Sequence, residues 1–245
     1  MAKRKTIQKH SKRKMTTKEW REVNIHDGEE NGTCDVDTLF NMFAEENPYE
    51  IQEYEYPNMP KLFLRGQEEM PNSTGLALWL GSEILCERLV QNPHLVKDKK
   101  VLELGAGMGL VGMVAHHLGA SVVNMTDGAT DVLENLQYNL EKNLPHNSLV
   151  SCTQLIWNQD LDTFEKTHGR FEVILAADVL YITKTLKPFW ETVRYLLEEG
   201  GLAIVLHRSS SQHEFSLTLE TASQYGFTWT CSNKEEGVYY FKRGK

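Results

Sequence analysis

The sequence contains few cysteines and no long apolar segment. Among its 245 residues are four cysteines, and no two of them form a C-x-x-C pair. Zinc sites and disulfide frameworks use closely spaced or regularly paired cysteines, so neither is expected, and the thiols are typical of a reduced, intracellular protein. No apolar run approaches the ~20 residues of a membrane span, and no apolar core of a signal peptide is present near the N-terminus. The chain is long enough for one hydrophobic core with an extension and too short for two full-size domains.

Positive charge is scarce outside the first residues of the chain. The net charge is −8, yet residues 1–18 carry eight Lys/Arg and no Asp/Glu, whereas the rest carries 18 basic and 34 acidic residues. An acidic body argues against broad binding to DNA or RNA, which requires a basic face. Residues 1–18 lack apolar periodicity and are predicted to be a disordered basic tail. Their two Lys-Arg-Lys clusters are consistent with a solvated tail, a nuclear import signal or a contact with nucleic acid or the ribosome.

Changes in pattern divide the chain into three segments. The basic tail covers residues 1–18. Residues 19–72 form an acidic N-terminal extension, with one short helix predicted at 36–43 and a hairpin predicted around Pro57, where apolar and polar residues alternate on both sides. Residues 73–245 are regular in pattern and are predicted to form the main domain.

In the main domain, short apolar runs alternate with amphipathic runs. Strands are predicted around KVLEL, SVVNMTD, LVSCTQLIW, FEVILAAD and GLAIVLH, and two more around FTWTCS and GVYYFKR. Strands alternating with helices predict right-handed βαβ units and a parallel sheet. The last two strands lie too close in sequence for a crossover and should pair as a hairpin. The expected fold class is α/β, with a Rossmann-like, doubly wound, seven-stranded and mostly parallel sheet whose last strand is antiparallel.

Two of the predicted helices carry an apolar stripe at helical spacing. In the helix that follows residue 73, the stripe consists of Leu76, Trp79, Leu80 and Ile84. In the helix at 130–143, the stripe consists of Leu133, Leu136 and Leu140. Both stripes are expected to face the core.

The segment VLELGAGMGLVG, residues 101–112, joins a predicted strand to a predicted helix through a glycine-rich turn. A strand, a glycine turn and a helix N-terminus form a nucleotide-type site at the carboxyl ends of the strands. Gly105, Gly107 and Gly109 alternate, and Leu110 replaces the third glycine of a dinucleotide fingerprint. A pyrophosphate avoids a nearby carboxylate, so Glu103 on the strand instead suits a ligand with a cationic group, such as an amino acid ammonium.

Asp127 ends the second strand of the domain. A carboxylate at this position can accept hydrogen bonds from both hydroxyls of a ribose, or it can cap the next helix. An adenosine that carries an amino acid rather than a phosphate is S-adenosylmethionine. Trp157, at the predicted end of the third strand, can cover the adenine face or belong to the core, and Trp79 has the same ambiguity.

Residues 73–240 resemble the seven-β-strand methyltransferases, and specifically the family 16 protein lysine methyltransferases that act on chaperones, ATPases, calmodulin and elongation factors. The resemblance is carried by TGLALW at 74–79, VLELGAGMGLVG at 101–112, TDG at 126–128, LIW at 155–157 and AADVLY at 176–181. It implies the fold, the use of S-adenosylmethionine as cofactor, and methyl transfer to a lysine of an intracellular protein.

The resemblance also implies roles for individual residues. It places the following residues at the cofactor: Trp79, Glu103, Gly105, Ala106, Gly107, Gly109, Asp127, Trp157 and Ala177. It places Asp178 and Tyr181 beside the target side chain as the catalytic residues. Asp178 is expected to orient the incoming ammonium or, alternatively, to cap the following helix, and Tyr181 to provide an aromatic wall. No carboxylate cluster can be assembled from the sequence, so no metal is expected.

The sequence does not define which group accepts the methyl. Histidine, an N-terminal amine or a small molecule are alternative acceptors for the same cofactor, and a catalytically silent partner-binding module is a third reading. The D-V-L-Y sequence at 178–181 lacks the prolines common in enzymes that methylate the amino groups of nucleic acid bases. We expect the protein to be a monomer located in the cytoplasm or the nucleus. Its expected partner is a lysine-bearing protein. We expect it to bind no membrane, and to contact nucleic acid only through its basic tail.

Overall fold

The computed structural model describes residues 49–67, 74–77, 79–208, 212–231 and 237–244. The predicted tail at 1–18 and the predicted helix at 36–43 lie outside these ranges. The described strands are β1 (Glu50–Tyr54), β2 (Leu62–Gly66), β3 (Lys100–Leu104), β4 (Val122–Asp127), β5 (Val150–Gln154), β6 (Phe171–Ala177), β7 (Leu197–Leu206), β8 (Phe227–Cys231) and β9 (Val238–Arg243). The described helices are α1 (Leu80–Gln91), α2 (Leu110–His117), α3 (Thr130–Asn143), α4 (Leu161–His168), α5 (Leu186–Leu196) and α6 (Gln212–Gln224), with 3₁₀ turns at Thr74–Leu76, Pro93–Leu95 and Thr183–Thr185.

A seven-stranded sheet forms the centre of the molecule. Its order is β5-β4-β3-β6-β7-β9-β8, with parallel pairing from β5 to β7 and antiparallel pairing of β9 with both β7 and β8. The strand order reverses between β3 and β6, which places a crevice at their carboxyl ends. The predicted seven-stranded sheet with an antiparallel last strand is confirmed.

The core consists of two apolar layers, one on each face of the sheet. Along β3, Val101 belongs to the layer that contains α1, α2 and α3, whereas Leu102 and Leu104 belong to the layer that contains α4, α5 and α6. Strands covered on both faces are apolar at successive positions because each face needs its own buried side chains. This explains why the short runs of the sequence predict the central strands well.

Two details of the predicted elements are wrong. The helix predicted to begin near residue 74 begins instead at Leu80, after a 3₁₀ turn. The predicted stripe of Leu76, Trp79, Leu80 and Ile84 therefore does not form one face of a helix. Trp79 is 49% exposed and Leu80 53% exposed, and the buried face of α1 consists of Gly81, Leu85, Cys86 and Leu89. Strand β5 ends at Gln154, so Trp157 follows the strand by three residues instead of ending it.

Two helices of the main domain differ from expectation in what they bury. In α3, Leu136 and Leu140 are buried as predicted and Leu133 is partly buried, but Asn135 and Asn139 are also buried. Helix α4 was not predicted, because it is short and its sequence, LDTFEKTH, buries only Leu161 and Phe164.

The predicted hairpin is confirmed as an antiparallel pair, β1 with β2, in which Glu50 lies opposite Gly66 and Tyr54 opposite Leu62. Its inner face contributes Tyr54, Leu62 and Leu64 to the core layer that contains α3. A two-stranded hairpin is marginal by itself, so its stability depends on this packing.

Within the described ranges, no helix has the length and apolarity needed to cross a lipid bilayer.

We expect the Trp190→Ala substitution to be among the most destabilising in the core. The indole is fully buried and its ring centre lies 5.1 Å from that of Phe189 and 4.6 Å from that of Phe241. Truncating a buried tryptophan removes apolar contacts and leaves a cavity, which costs about 3–5 kcal/mol of the free energy of unfolding. Urea denaturation measures this loss. The control is Trp229→Ala, at a residue that is 41% exposed, and an equal loss in both variants would contradict the assignment of Trp190 to the core.

Candidate active site

A cavity of about 540 Å³ opens at the carboxyl ends of β3, β4 and β6. This volume lies in the range of sites that hold a cofactor-sized molecule. The lining comes from four segments of the chain, at residues 74–82, 105–108, 127–132 and 155–159, together with the segment 177–188 after β6. These segments are far apart in sequence, and the sheet brings them together because parallel strands end at a common edge.

The glycine loop forms one wall of this cavity. Ala106 donates its N–H to the carbonyl of Thr126 at 2.8 Å, which fastens the loop to β4. Gly105 and Gly107 have positive φ angles of 69° and 53°, a region that residues with a Cβ rarely adopt. A Cβ on Gly107 would also lie 3.0 Å from the carbonyl oxygen of Gly75. Glycine is therefore required here for both backbone conformation and close approach.

Asp127 ends β4 and lines the cavity next to the glycine loop. Its Oδ2 accepts a hydrogen bond from Gly107 N–H at 3.1 Å, and its Oδ1 accepts one from Ala129 N–H at 3.2 Å. A carboxylate has about four acceptor positions, so capacity remains for a ligand. Burial raises the pKa of Asp127, with the backbone hydrogen bonds opposing it. Asp127 therefore bonds the chain ahead of α3 without capping the helix, and it faces the cavity. Its contact with a ribose stays a prediction.

Glu103 is buried on β3 and does not line the cavity. Its Oε2 accepts a hydrogen bond from the N–H of Gly112, in the first turn of α2, at 2.8 Å. Burial raises the pKa of Glu103 to about 8, opposed by the Gly112 hydrogen bond and aided by the charge of Asp127. Its contact with the cofactor stays a prediction from the resemblance.

Gly109 also lies outside the cavity lining. It has a φ of 88° and a Cβ there would overlap the side chain of Leu136, so it turns the chain into α2 beneath the loop. The structure brings the other predicted site residues together around one cavity, namely Trp79, Gly105, Ala106, Gly107, Asp127, Trp157, Ala177, Asp178 and Tyr181.

Asp178 follows the last residue of β6 and has a φ of 53°, in the left-handed region. Such a conformation is uncommon for residues other than glycine and recurs at functional sites. Its Oδ2 accepts a hydrogen bond from Gly81 N–H, in the first turn of α1, at 3.1 Å, and its own N–H donates to the carbonyl of Leu206 at 3.0 Å. Burial raises the pKa of Asp178, opposed chiefly by the positive charge of Arg208. Asp178 therefore contacts α1 through its side chain, and the expectation that it could cap the following helix is replaced by this contact.

Tyr181 and Trp79 are joined through Thr74 at the mouth of the cavity. The hydroxyl groups of Tyr181 and Thr74 lie 2.8 Å apart, and the indole N–H of Trp79 donates to the Thr74 carbonyl at 3.0 Å. Tyr181 is 59% exposed, so its ring faces the solvent side of the mouth. Thr74 belongs to the TGLALW motif, whose sequence alone indicates no role for this residue.

Trp157 lines the cavity from the segment that follows β5. Its ring packs edge-on against Phe189, with ring centres 5.1 Å apart, and is only partly buried. The ring thus packs against the core and also lines the cavity. Its contact with an adenine stays a prediction.

Several lining residues were missed because they are apolar or small and carry no pattern that points to a site. They are Met108, Val132, Ile156, Val179 and Pro188. His207, which follows β7, is buried and does not line the cavity. Among the described residues, no group of three or more His, Cys, Asp or Glu is arranged to hold a metal ion.

Comparison with solved structures defines the class of the protein. The T. thermophilus 16S rRNA N2 G1207 methyltransferase in complex with AdoMet and guanosine matches with a TM-score of 0.55 and 18% identity, over 80% of this chain and 51% of that one. A putative methyltransferase complexed with SAH matches with a TM-score of 0.54 and 14% identity, over 80% of this chain and 56% of that one. The chain thus has the fold of the S-adenosylmethionine-dependent methyltransferases, and these identities support the fold alone.

Sequence comparison defines the family. Residues 58–221 match the family model described as lysine methyltransferase, and the chain belongs to this family. Protein N-lysine methyltransferase METTL21A of Danio rerio is 36% identical over 131 residues, covering 53% of this chain and 57% of that protein. Protein-lysine N-methyltransferase EFM3 of Chaetomium thermophilum is 32% identical over 184 residues, covering 72% of this chain and 55% of that protein. The chain therefore spans about half the length of these curated relatives, and the resemblance inferred from the motifs is confirmed.

The buried carboxyl of Glu103 predicts a pH dependence of stability. With a pKa of about 8 in the folded chain against an ordinary value of 4.5, Glu103 is protonated when folded and ionised when unfolded between these pH values. The folded state then binds more protons, so this group makes the free energy of unfolding fall as pH rises from about 4.5 to 8, by up to ~1.4 kcal/mol per pH unit. Glu103→Gln should flatten this slope. Urea denaturation at several pH values measures it, and equal slopes in both proteins would refute the assignment.

The contact between Gly81 and Asp178 predicts that Gly81→Ala is harmful. A Cβ at this position would overlap Asp178 Oδ2 and lie 2.5 Å from its Cγ. Alanine normally favours a helix by ~1 kcal/mol over glycine, so a lower melting temperature would run against helix propensity. Gly128→Ala is the control, because a Cβ there meets its nearest atom at 3.9 Å. An unchanged melting temperature in Gly81→Ala would contradict the packing described here.

Proposed function

We propose that the protein is a protein-lysine N-methyltransferase that uses S-adenosylmethionine. The observation that carries the proposal is the position of Asp178 and Tyr181 on the same cavity as the glycine loop and Asp127, inside the region that matches the lysine methyltransferase family. The candidate positions for the methyl donor and for the acceptor amine thus lie in one cavity, next to the segment that follows β6.

The residues that line the cavity suit the parts of this cofactor. The carboxylate of Asp127 has free acceptor positions for ribose hydroxyls, and Trp157 offers an apolar ring for the adenine. The backbone of Gly105–Gly107 permits close approach because no side chain stands in the way. When bound, the cofactor supplies a methyl group already activated by its sulfonium.

Asp178 is suited to receive a lysine side chain. Its carboxyl group lies at the cavity, is held by the backbone of Gly81, and would attract a cationic amine. A lysine ammonium has a pKa of ~10.4 and must lose a proton before its nitrogen can attack the methyl group. Burial raises the pKa of Asp178 from its ordinary value, which makes it a better proton acceptor than an exposed aspartate.

Tyr181 would form the aromatic wall of the amine pocket, and Trp79, which the resemblance places at the cofactor, would lie next to it at the mouth. A cation near such a ring gains ~0.5–2 kcal/mol. The hydrogen bonds through Thr74 orient both rings before a substrate arrives, so little ordering remains to be done on binding. Alignment of nitrogen, methyl and sulfur is the main contribution of the chain, and orientation of this kind lowers a barrier by up to ~7–11 kcal/mol.

We further propose that the acceptor is a protein with a basic surface around its target lysine. The relatives METTL21A and EFM3 are named as protein-lysine methyltransferases, and another relative is named EEF1A lysine methyltransferase 3 of Mus musculus. Outside residues 1–18 the chain has 34 acidic and 18 basic residues, which favours association with positive partners. The protein would act as a monomer in the cytoplasm or nucleus, with nucleic acid contact limited to its basic tail.

We expect Asp178→Ala to abolish methyl transfer while the fold is retained. The experiment incubates each protein with methyl-labelled S-adenosylmethionine and a cell extract, followed by mass spectrometry of labelled bands. Loss of the carboxylate removes the group that holds the ammonium, so label at lysine should fall by at least ~100-fold.

The control is Asp162→Asn, at an exposed aspartate that does not line the cavity, and it should leave labelling unchanged. Full labelling by Asp178→Ala would exclude the role of Asp178. Label at histidine, at an N-terminal amine or in a small molecule would show a different acceptor, and cofactor binding without any label would show a silent binding module.

A further inference from the structure

Three asparagines of α3 attach the N-terminal hairpin to the main domain. Asn135, Asn139 and Asn143 are four residues apart and therefore lie on one side of the helix. Their spacing along the helix is ~6 Å, which is close to the ~6.6 Å between alternate residues of a strand. A row of amides on a helix can thus match alternate peptide groups of a strand edge.

The match is made with Phe63 and Arg65 of β2. Asn143 accepts from Phe63 N–H at 2.7 Å and donates to the Phe63 carbonyl at 2.9 Å. Asn139 accepts from Arg65 N–H at 2.8 Å and donates to the Arg65 carbonyl at 3.1 Å. The helix therefore takes the place of a third strand and satisfies an edge that would otherwise be unpaired.

Arg65 strengthens the same attachment through its side chain. Its Nε–H donates to Asn135 Oδ1 at 2.7 Å, and its guanidinium lies 3.8 Å from the ring centre of Tyr138 and 4.4 Å from that of Tyr49. Asn135 also donates to the Arg65 carbonyl at 2.8 Å. The hairpin is consequently held in a fixed register on α3.

Asn139 differs from its two neighbours because it also contacts the glycine loop. Its amide donates a second hydrogen bond, to the carbonyl of Met108, at 3.1 Å. The side chain is fully buried, and with these three bonds its oxygen and both of its amide hydrogens are used. Met108 lies between Gly107 and Gly109 and lines the cavity. One amide therefore joins the hairpin to the loop that forms the cofactor wall.

The hairpin reaches the same loop from a second direction. A Cβ on Gly66, the last residue of β2, would lie 2.6 Å from Met108 Sδ and Cε, so the two are in close packing. The next residue, Gln67, donates its N–H to the carbonyl of Leu76 at 2.9 Å, beside the cavity segment that starts at Thr74.

We infer that Asn139 is a positioning residue for the cofactor site and that the hairpin of β1 and β2, held by Asn139, fixes the glycine loop at Met108. This inference rests on the proposed use of S-adenosylmethionine and not on the proposed lysine acceptor. It gives the hairpin a role in the cofactor site.

The test compares Asn139→Asp with two controls in the full chain. Asn139→Asp keeps the acceptor for Arg65 N–H and removes both donated hydrogen bonds, including the one to Met108. Asn135→Asp loses a hydrogen bond to the hairpin only. Asn143→Ala loses its hydrogen bonds to the hairpin and the one to the Asn139 carbonyl within the same helix, and it leaves the Asn139 side chain and its bond to Met108 in place. Isothermal titration with S-adenosylhomocysteine measures affinity, thermal unfolding measures stability, and amide hydrogen exchange reports on residues 104–110.

We expect Asn139→Asp to bind S-adenosylhomocysteine about 3- to 10-fold more weakly, with faster exchange in 104–110. The controls should stay within about 2-fold of the unaltered protein, even where their melting temperature falls. If Asn139 had a purely structural role, the affinity for S-adenosylhomocysteine would fall in proportion to the loss of stability in all three variants, and that result would overturn the inference. Unchanged affinity and unchanged amide hydrogen exchange in Asn139→Asp would overturn it as well.

Two further outcomes are covered by the same design. If Asn139→Asp does not fold, Gly66→Ala tests the contact between the hairpin and the glycine loop instead, because its Cβ would press on Met108 and leave Asn139 unchanged. Unaltered amide hydrogen exchange at residues 104–110 in this variant would overturn the inference. If the unaltered protein does not bind S-adenosylhomocysteine, the proposed cofactor use fails, and the exchange measurement still decides whether the hairpin fixes the loop.

Discussion

The site depends on three carboxylates, one buried and two partly buried, that accept hydrogen bonds from the backbone of glycines. At the carboxyl ends of three neighbouring strands, an acidic side chain receives an N–H from another segment of the chain. The pairs are Glu103 with Gly112, Asp127 with Gly107, and Asp178 with Gly81. Burial raises the pKa of all three acids, so each interaction is maintained against the cost of desolvation. Glycine is the donor each time, and at Gly81 and Gly112 a Cβ would lie within contact of the carboxylate itself.

This arrangement explains why a site built from distant segments is well defined. Each carboxylate connects a strand end to a helix start or to the glycine loop, and each strand end is fixed by the sheet. The cavity walls are therefore positioned by the sheet, whereas the residues at the mouth, Thr74, Trp79 and Tyr181, are held by hydrogen bonds to one another. Supporting contacts of this kind hold reactive groups in place without ligand.

The sequence predicts the parts of this fold that repeat a simple pattern. Apolar strands, the glycine turn and the acid at the end of β4 are visible because buried strands and glycine turns have few alternatives. The start of α1 was misplaced, since a 3₁₀ turn changes the direction of Trp79 and Leu80 without changing the apolar spacing. Contacts such as Asp178 with Gly81 join residues 97 positions apart, and no local pattern encodes them. The burial of Asn139 could not be predicted either, because asparagines in an amphipathic helix are usually on its exposed face.

The hairpin is attached to the main domain through its backbone as well as through its inward-facing side chains. Asn139 and Asn143 bond the peptide groups of Arg65 and Phe63, and any residue type except proline offers the same groups. The outward side chains Ile51 and Phe63 are each 42% exposed and take no part in these bonds. Their identity can therefore change during evolution without loosening the hairpin, so this face is free to diverge between relatives while the architecture beneath it stays the same.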